Sequence, residues 1–182
     1  DLPKNFINVF IEECKKKKLR PLVTPFTHES YLRIKREDLY AIKIASYDST
    51  SYSMLKNLKN LNLPFVISTG ATNNSQIIKT SKFMSNQIFA LLHCVTVYPT
   101  PLHLCNLSKI KFLKQFTPYV GWSDHTEFDK NRHVASLASI LFGGKIIERH
   151  FTILERSKTK DGIVSINPDN AKEFIKLSKL QN

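Results

Sequence analysis

The sequence predicts an α/β protein in which parallel strands alternate with helices and curve into a barrel. Apolar runs of strand length recur along its 182 residues, and helix-like stretches separate them. Alternation of this kind is typical of parallel βα units. Polar residues also gather directly after the apolar runs, where βα barrels carry their functional side chains. Because six consecutive units carry polar residues directly after the strand, a barrel is favoured over an open sheet.

The predicted strands are apolar nearly throughout, as expected for a sheet that is buried on both faces. They cover residues 21–23, 40–44, 64–67, 88–92, 118–121 and 145–147. Helical patterns cover residues 29–36, 53–61, 74–84 and 131–141, and a further one opens the sequence with Phe6, Val9, Phe10 and Ile11 on one side. No glycine-rich fingerprint opens a helix, so a dinucleotide-binding fold has no support.

The length of the chain predicts one domain with its own core. No apolar run reaches the roughly 18 residues that a membrane helix needs. The three cysteines form no CxxC pair, which disfavours a disulfide scaffold and a thiolate zinc site. The sequence therefore predicts a cytoplasmic protein that has no membrane segment.

The net charge of +12 permits a nucleic acid, an anionic membrane surface or anionic substrates as partners. The positive residues are spread over the chain. The one dense run, Lys15 to Lys18, has no interleaved aromatic residues on which bases could stack. The run therefore does not indicate a platform for single-stranded nucleic acid, and neither nucleic acid nor membrane is expected as a partner.

Two segments, residues 121–126 and 146–152, each run from an apolar strand into ionisable residues. Each places a histidine, His125 or His150, where the strand should end. Adjacent strand ends of a parallel barrel would bring both imidazoles to one rim, which predicts a two-histidine metal site. The alternative is that each histidine is an ordinary hydrogen-bonded core residue.

Seven short segments resemble the sialic acid synthases, a family that includes N-acetylneuraminate, legionaminate, pseudaminate and spore-coat polysaccharide synthases. The segments are VTPF at 23–26, KIAS at 43–46, ISTG at 67–70, LHC at 92–94, YPTP at 98–101, GWSDHT at 121–126 and ERHFT at 148–152. Each is weak alone, but the ordered set is specific and covers roughly residues 20–170.

The resemblance implies an incomplete TIM (β/α)8 barrel. On this interpretation residues 1–182 supply the third to eighth strands, and the first two units and a small C-terminal antifreeze-like domain lie outside the chain. Unpaired strand edges would then promote aggregation, and we expect the chain by itself to be inactive or poorly folded. The resemblance also implies a homodimer for the full-length protein.

The activity implied by the resemblance is that of a transferase. Phosphoenolpyruvate would condense with an N-acyl amino sugar similar to N-acetylmannosamine, giving a nine-carbon 2-keto acid similar to sialic acid and releasing phosphate. A divalent metal ion, manganese with magnesium or cobalt as alternatives, would act as a Lewis acid. The matching metal ligands are His125 and His150.

The resemblance also assigns substrate contacts. Positions that match phosphoenolpyruvate contacts are Thr24, Lys43, Ser46, Thr96 and Ser123, and those that match acceptor-sugar contacts are Tyr98, Glu148 and Asp161. Glu148 and Asp48 are the predicted catalytic carboxylates, and Asp48 would orient or deprotonate the attacking water. The sugar itself is left open, because Thr159 and Lys160 stand where the sialate-forming members carry Gly-Pro before the aspartate.

The chemistry of the residues also allows ordinary structural roles for some of them. An inward lysine on a buried strand is costly unless it meets an anion, but Lys43 could instead extend to solvent. Asp48 could be an ordinary turn residue. We expect His93 to be a packing residue and Arg149 to pair with a carboxylate.

Two other functions stay open at this point. One is a barrel aldolase or lyase that uses Lys43 as a Schiff base, although such an enzyme does not need the histidine pair. The other is a catalytically inactive remnant or basic binding module, which the net charge permits.

Overall fold

One curved sheet of six parallel strands forms the centre of the protein in a computed structural model that describes residues 3, 5–32, 34 and 38–181. The strands lie side by side in chain order. They are β1 (Leu22–Val23), β2 (Ala41–Ile44), β3 (Phe65–Ser68), β4 (Phe89–Cys94), β5 (Val120–Asp124) and β6 (Ile146–Arg149). The sheet curls like half of a barrel, so the predicted fold class is confirmed as a partial barrel. The assignment of these strands as the third to eighth of a complete barrel stays a prediction.

All six predicted strands are present, and the later ones extend further toward the C-terminus than predicted. β4 ends at Cys94 and β5 at Asp124, because their polar last residues still pair through the backbone with the neighbouring strand. These extensions carry the polar side chains of the two strand ends to one edge of the sheet.

Helices connect the strands on the outer face of the sheet. They are α1 (Phe6–Lys16), α2 (His28–Leu32), α3 (Tyr52–Lys59), α4 (Asn74–Phe83), α5 (Lys109–Leu113), α6 (Phe128–Asn131), α7 (Val134–Leu141) and α8 (Pro168–Ser178). The longest have 11 residues, and no helix in the described part of the chain could cross a membrane.

Two helix predictions need correction. The stretch predicted as one helix over 131–141 contains the end of α6 and the whole of α7, because Arg132 has a φ of 48° and a left-handed residue cannot continue a helix. The helix predicted over 29–36 corresponds to α2, which ends at Leu32; Ile34 is not helical, and residues 33, 35 and 36 lie outside the described residues.

The main core lies between the sheet and the helices. Its fully buried side chains include Ile42, Leu55, Phe65, Ile67 and Trp122. They exclude water from one face of every central strand, which fixes the sheet as a rigid support.

Close contact between β5 and β6 depends on Gly121. A Cβ atom at this position would lie 1.9 Å from the carbonyl oxygen of Ile146. Glycine therefore lets the two strands that precede His125 and His150 approach each other closely.

Candidate active site

A cavity of about 410 Å³ lies at the carboxyl ends of the strands. Side chains predicted as site residues line it: Thr24, Lys43, Ser46, Thr96, Tyr98, Ser123, His125, Glu148 and His150. Parallel strands bring residues that are distant in sequence to this one edge. The cavity therefore collects all the predicted site residues except Asp48 and Asp161.

Lys43 is the cation of the cavity's lining. Only 13% of its side chain is exposed, and its Nζ donates to Ser68 Oγ at 2.8 Å. Glu148 Oε2 lies 3.3 Å from the same nitrogen, but the two atoms are not aligned as a hydrogen bond, so charge holds this contact. The lysine thus points into the cavity rather than to solvent, and it sits ready for an anion.

His125 is held in one orientation and one tautomer. Its ring is buried, and its Nδ1 donates to the carbonyl oxygen of Val95 at 3.0 Å. Nε2 is then the acceptor, and the Tyr98 hydroxyl donates to it at 2.7 Å. Burial lowers the pKa of His125, and the adjacent His150 lowers it further. The imidazole is therefore neutral at neutral pH, as a metal ligand must be.

His150 packs edge-on against His125 in the wall of the cavity. Their ring centroids are 5.3 Å apart and the rings are nearly perpendicular. Asp161 Oδ2 lies 3.5 Å from His150 Nδ1. Asp161 therefore contacts the second histidine and is absent from the cavity lining, where the acceptor contact was predicted.

The donor set fits a divalent cation with two protein nitrogens. Each histidine has its Nδ1 beside a carbonyl or carboxylate oxygen, the usual orienting contact of a metal-bound imidazole. Nε2 of each ring is then the candidate ligand. The hydrogen bond from the Tyr98 hydroxyl to His125 Nε2 would have to break before a metal could bind that nitrogen. Among the described residues, no group of three or more histidine, cysteine, aspartate or glutamate side chains is arranged to hold a metal. Water or substrate would complete the coordination.

Asp48 lies outside the cavity. It ends a short 3-10 turn, Ser46–Asp48, and borders a neighbouring groove together with Phe26 and Tyr52. Its backbone N–H donates to the Ala45 carbonyl at 3.0 Å, as in an ordinary strand-to-helix turn. The catalytic role of Asp48 stays a prediction, and this placement does not support it.

Sequence reasoning missed several residues of the cavity. Ser68 holds Lys43, Cys94 lies beside Ser46 and His125, and the exposed Phe26 and Tyr47 flank the opening. Ser68, Cys94 and Phe26 belong to the segments that carry the family resemblance, so the signal was present. Only Tyr47, one position beyond such a segment, had none.

The structural roles predicted for His93 and Arg149 are confirmed. His93 Nε2 lies 2.8 Å from the Cys105 carbonyl, and its ring packs against Trp122. Arg149 Nη1 lies 2.7 Å from Asp124 Oδ2. Both side chains lie behind the cavity rather than in it.

His93 should make the protein sensitive to acid. Burial lowers its pKa to about 4, although the bond to Cys105 opposes the shift. An unfolded histidine takes up a proton near pH 6.5, so between these values the unfolded chain binds more protons and stability falls as the pH falls. The loss should reach about 3 kcal/mol at pH 4, at 1.36 kcal/mol per pKa unit.

Urea unfolding at pH 7, 5.5 and 4 would measure this effect. In His93→Gln, which keeps a donor for Cys105, the decrease in unfolding free energy should be smaller by about that amount. The exposed His103, replaced in the same way, serves as the control. An equal pH dependence of the wild type and His93→Gln would contradict the assignment.

Comparisons with known proteins agree with the sequence resemblance. The model of the NeuB family matches residues 1–180. The chain is 32% identical over 180 residues to the spore coat polysaccharide biosynthesis protein SpsE of Bacillus subtilis, covering 96% of this chain and 48% of that protein. It is 34% identical over 168 residues to the N,N'-diacetyllegionaminic acid synthase of Campylobacter jejuni, covering 89% and 49%.

Among solved structures, the N-acetylneuraminic acid synthetase of Leptospira borgpetersenii in complex with citrate is similar, with a TM-score of 0.88 and 26% identity. The match covers 97% of this chain and 61% of that one. The chain thus spans about half the length of the curated relatives that it matches.

Proposed function

The chain belongs to the NeuB family, and we propose that its function is the condensation of phosphoenolpyruvate with an N-acyl amino sugar. The products are a nine-carbon 2-keto acid and phosphate. The names of the relatives, which include legionaminic and N-acetylneuraminic acid synthases, support this class of reaction. The observation that carries the proposal is one cavity that places a nearly buried lysine near two adjacent histidines.

Phosphoenolpyruvate carries two anionic groups that match one side of the cavity. Lys43 supplies a cation, and hydroxyls of Thr24, Ser68 and Ser123 supply neutral donors. Bonds of this kind between a cation and phosphate or carboxylate oxygens are strong. When the anion binds, it replaces Glu148 as the counterion of Lys43.

His125 and His150 would hold the divalent ion, which supplies Lewis-acid polarisation of the sugar's aldehyde oxygen when bound. Imidazole nitrogens do not by themselves select manganese over cobalt or zinc. Tyr98 stays protonated, because burial and then Cys94 and Asp161 raise its pKa. Its hydroxyl can therefore donate a hydrogen bond to a sugar oxygen.

The chemistry balances with one water molecule. C3 of phosphoenolpyruvate forms a bond to C1 of the aldehyde, and the water oxygen adds to C2. The C2–O bond to phosphate then breaks as C2 becomes a ketone. One proton of the water ends on the new hydroxyl, and the other leaves with phosphate. Glu148, released from Lys43, is the carboxylate placed to accept a proton in the cavity.

A binding assay and a turnover assay test this function. Calorimetric titration with phosphoenolpyruvate in the presence of Mn²⁺, on a version as long as the curated relatives, should show binding to one site. In a version as long as the curated relatives, phosphate release should require phosphoenolpyruvate, the metal and an N-acyl sugar together, with a panel of N-acyl hexosamines as acceptors. The keto acid would be identified by mass spectrometry. Phosphate release that does not depend on the metal or on the sugar would refute the proposal.

A further inference from the structure

A buried ion pair lies directly behind the two histidines. Asp124 is the last residue of β5 and Arg149 the last residue of β6, and the two are register partners. Asp124 is fully buried, only 5% of the Arg149 side chain is exposed, and Arg149 Nη1 lies 2.7 Å from Asp124 Oδ2. Each of these residues immediately precedes a histidine of the candidate metal site.

The pair faces away from the cavity because side chains alternate along a strand. His125 and His150 line the cavity, so the residues before them point toward the helices. On that side the Ser136 hydroxyl of α7 donates to Asp124 Oδ2, and the Arg149 guanidinium lies 5.7 Å from the centre of the Phe128 ring. The pair therefore belongs to the rigid layer between sheet and helices.

Asp124 fixes the turn that carries His125. Its Oδ1 accepts a hydrogen bond from the Thr126 backbone N–H at 2.9 Å and another from the Thr126 hydroxyl at 2.7 Å. From β6, Arg149 Nη2 donates to the Thr126 carbonyl at 3.3 Å. His125 thus lies between Asp124, which belongs to the pair, and Thr126, which both members of the pair hold in place.

Arg149 also fixes the segment that follows His150. Its Nη2 donates to the Val164 carbonyl at 3.2 Å, and the backbone of Ile166 bonds to the His150 carbonyl at 2.9 Å. The Arg149 guanidinium therefore links Thr126, which follows His125, to the segment 164–166, whose backbone bonds to His150.

We propose that Asp124 and Arg149 are positioning residues for the two-histidine site. They clamp β5 to β6 behind the cavity and so hold the imidazoles at the separation that one divalent cation requires. This inference rests on the metal site of the proposed function. Stability alone does not require an ion pair here, because apolar residues of similar volume often replace a buried pair without loss.

The test separates positioning from stability through a double variant. Asp124→Asn combined with Arg149→Met removes both charges, so no unpaired charge stays buried. Electron paramagnetic resonance of free Mn²⁺ would give the Kd of the wild type and the variants, each made as long as the curated relatives, and urea unfolding would report their stability. The double variant should fold and bind Mn²⁺ about 10-fold more weakly, the lower end of the effect of losing a group that bonds a metal ligand directly, because the pair acts on the histidines through the backbone.

Two single variants complete the comparison. Arg149→Lys keeps the charge but loses the contacts of the guanidinium fork, so its Kd should lie between those of the wild type and the double variant. Arg20→Met is the control, because Arg20 bonds the Tyr40 hydroxyl and contacts neither the histidines nor the segments that the pair holds. Its Kd should stay at the wild-type value. A folded double variant with the wild-type Kd would overturn the inference.

Two further measurements cover the remaining outcomes. If the double variant does not fold, Ser136→Ala removes one bond to Asp124 and should weaken Mn²⁺ binding, and an unchanged Kd would count against the inference. If the wild type binds no Mn²⁺, the metal of the proposed function is wrong. A crystal structure of the double variant then decides: separated rings support positioning, whereas rings still 5.3 Å apart refute it.

Discussion

Replacing His125 by alanine should raise the Kd for Mn²⁺ by more than about 100-fold and abolish metal-dependent phosphate release. Loss of an outer-shell partner alone usually changes metal affinity by about 10–100-fold, so loss of one of two protein ligands should exceed that range. His125 is neutral, buried and oriented by Val95. The ring therefore needs neither deprotonation nor reorientation when the metal binds. Calorimetry and paramagnetic resonance of Mn²⁺ would measure the change.

A second ligand variant and a distant histidine give this experiment its controls. His150→Ala should behave as His125→Ala does, since both rings are needed. His103→Ala should not affect Mn²⁺ binding, because His103 is exposed on the 3-10 turn Leu102–Leu104 and does not line the cavity. Urea unfolding of each variant would show that it is folded. Wild-type Mn²⁺ affinity in folded His125→Ala would rule out the histidine site.

Replacing Lys43 by glutamine should weaken phosphoenolpyruvate binding by about 10–100-fold. A hydrogen bond to a charged group contributes about 1.5–3 kcal/mol, and each 1.4 kcal/mol is a factor of ten in affinity. Glu148 and Ser68 already hold the Lys43 Nζ in the cavity, so the amine is in place before the anion arrives. Calorimetric titration with phosphoenolpyruvate would report the difference.

Lys56→Gln is the matched control, because it removes the same charge from the exposed face of α3. Its affinity for phosphoenolpyruvate should equal that of the wild type, which separates local contact from overall charge. Equal affinities of Lys43→Gln and the wild type would contradict the anion site. Borohydride trapping with a keto acid distinguishes the competing Schiff-base function, which requires covalent labelling of Lys43.

The strands and the histidine positions follow from local sequence patterns. A continuous apolar run of four or five residues predicts a buried strand, and polar residues directly after it mark the strand's carboxyl end. By this logic alone His125 and His150 were predicted at one rim, and the structure places their rings 5.3 Å apart. The family resemblance added the other lining residues.

The helices were predicted less well, because their ends depend on single residues. Arg132 breaks the stretch 131–141 through its backbone conformation, which no apolar pattern reveals. α8 was not predicted, although the sequence carries a local signal for it: Asn167 and Asn170 form a capping box, and Pro168 occupies the first turn.

The placement of Asp48 shows a further limit of sequence reasoning. Asp48 and Tyr47 are adjacent in a turn that follows β2, yet Tyr47 lines the cavity and Asp48 lines the neighbouring groove. In a tight turn, one position changes the direction of a side chain completely. A motif match therefore locates the turn but not the residue that enters the site.

Local patterns were enough to predict the parallel βα class, the positions of the six strands and the two histidines at their carboxyl ends, because a buried strand shows as a run of apolar neighbours. Which side chains make contact there depends on how the strands and turns are placed in space. Glu148 neutralises Lys43, Tyr98 bonds to His125, Asp161 contacts His150, and Arg149 pairs with Asp124. Each contact joins residues that are remote along the chain, and the curvature of the sheet and the register of its strands set their distances.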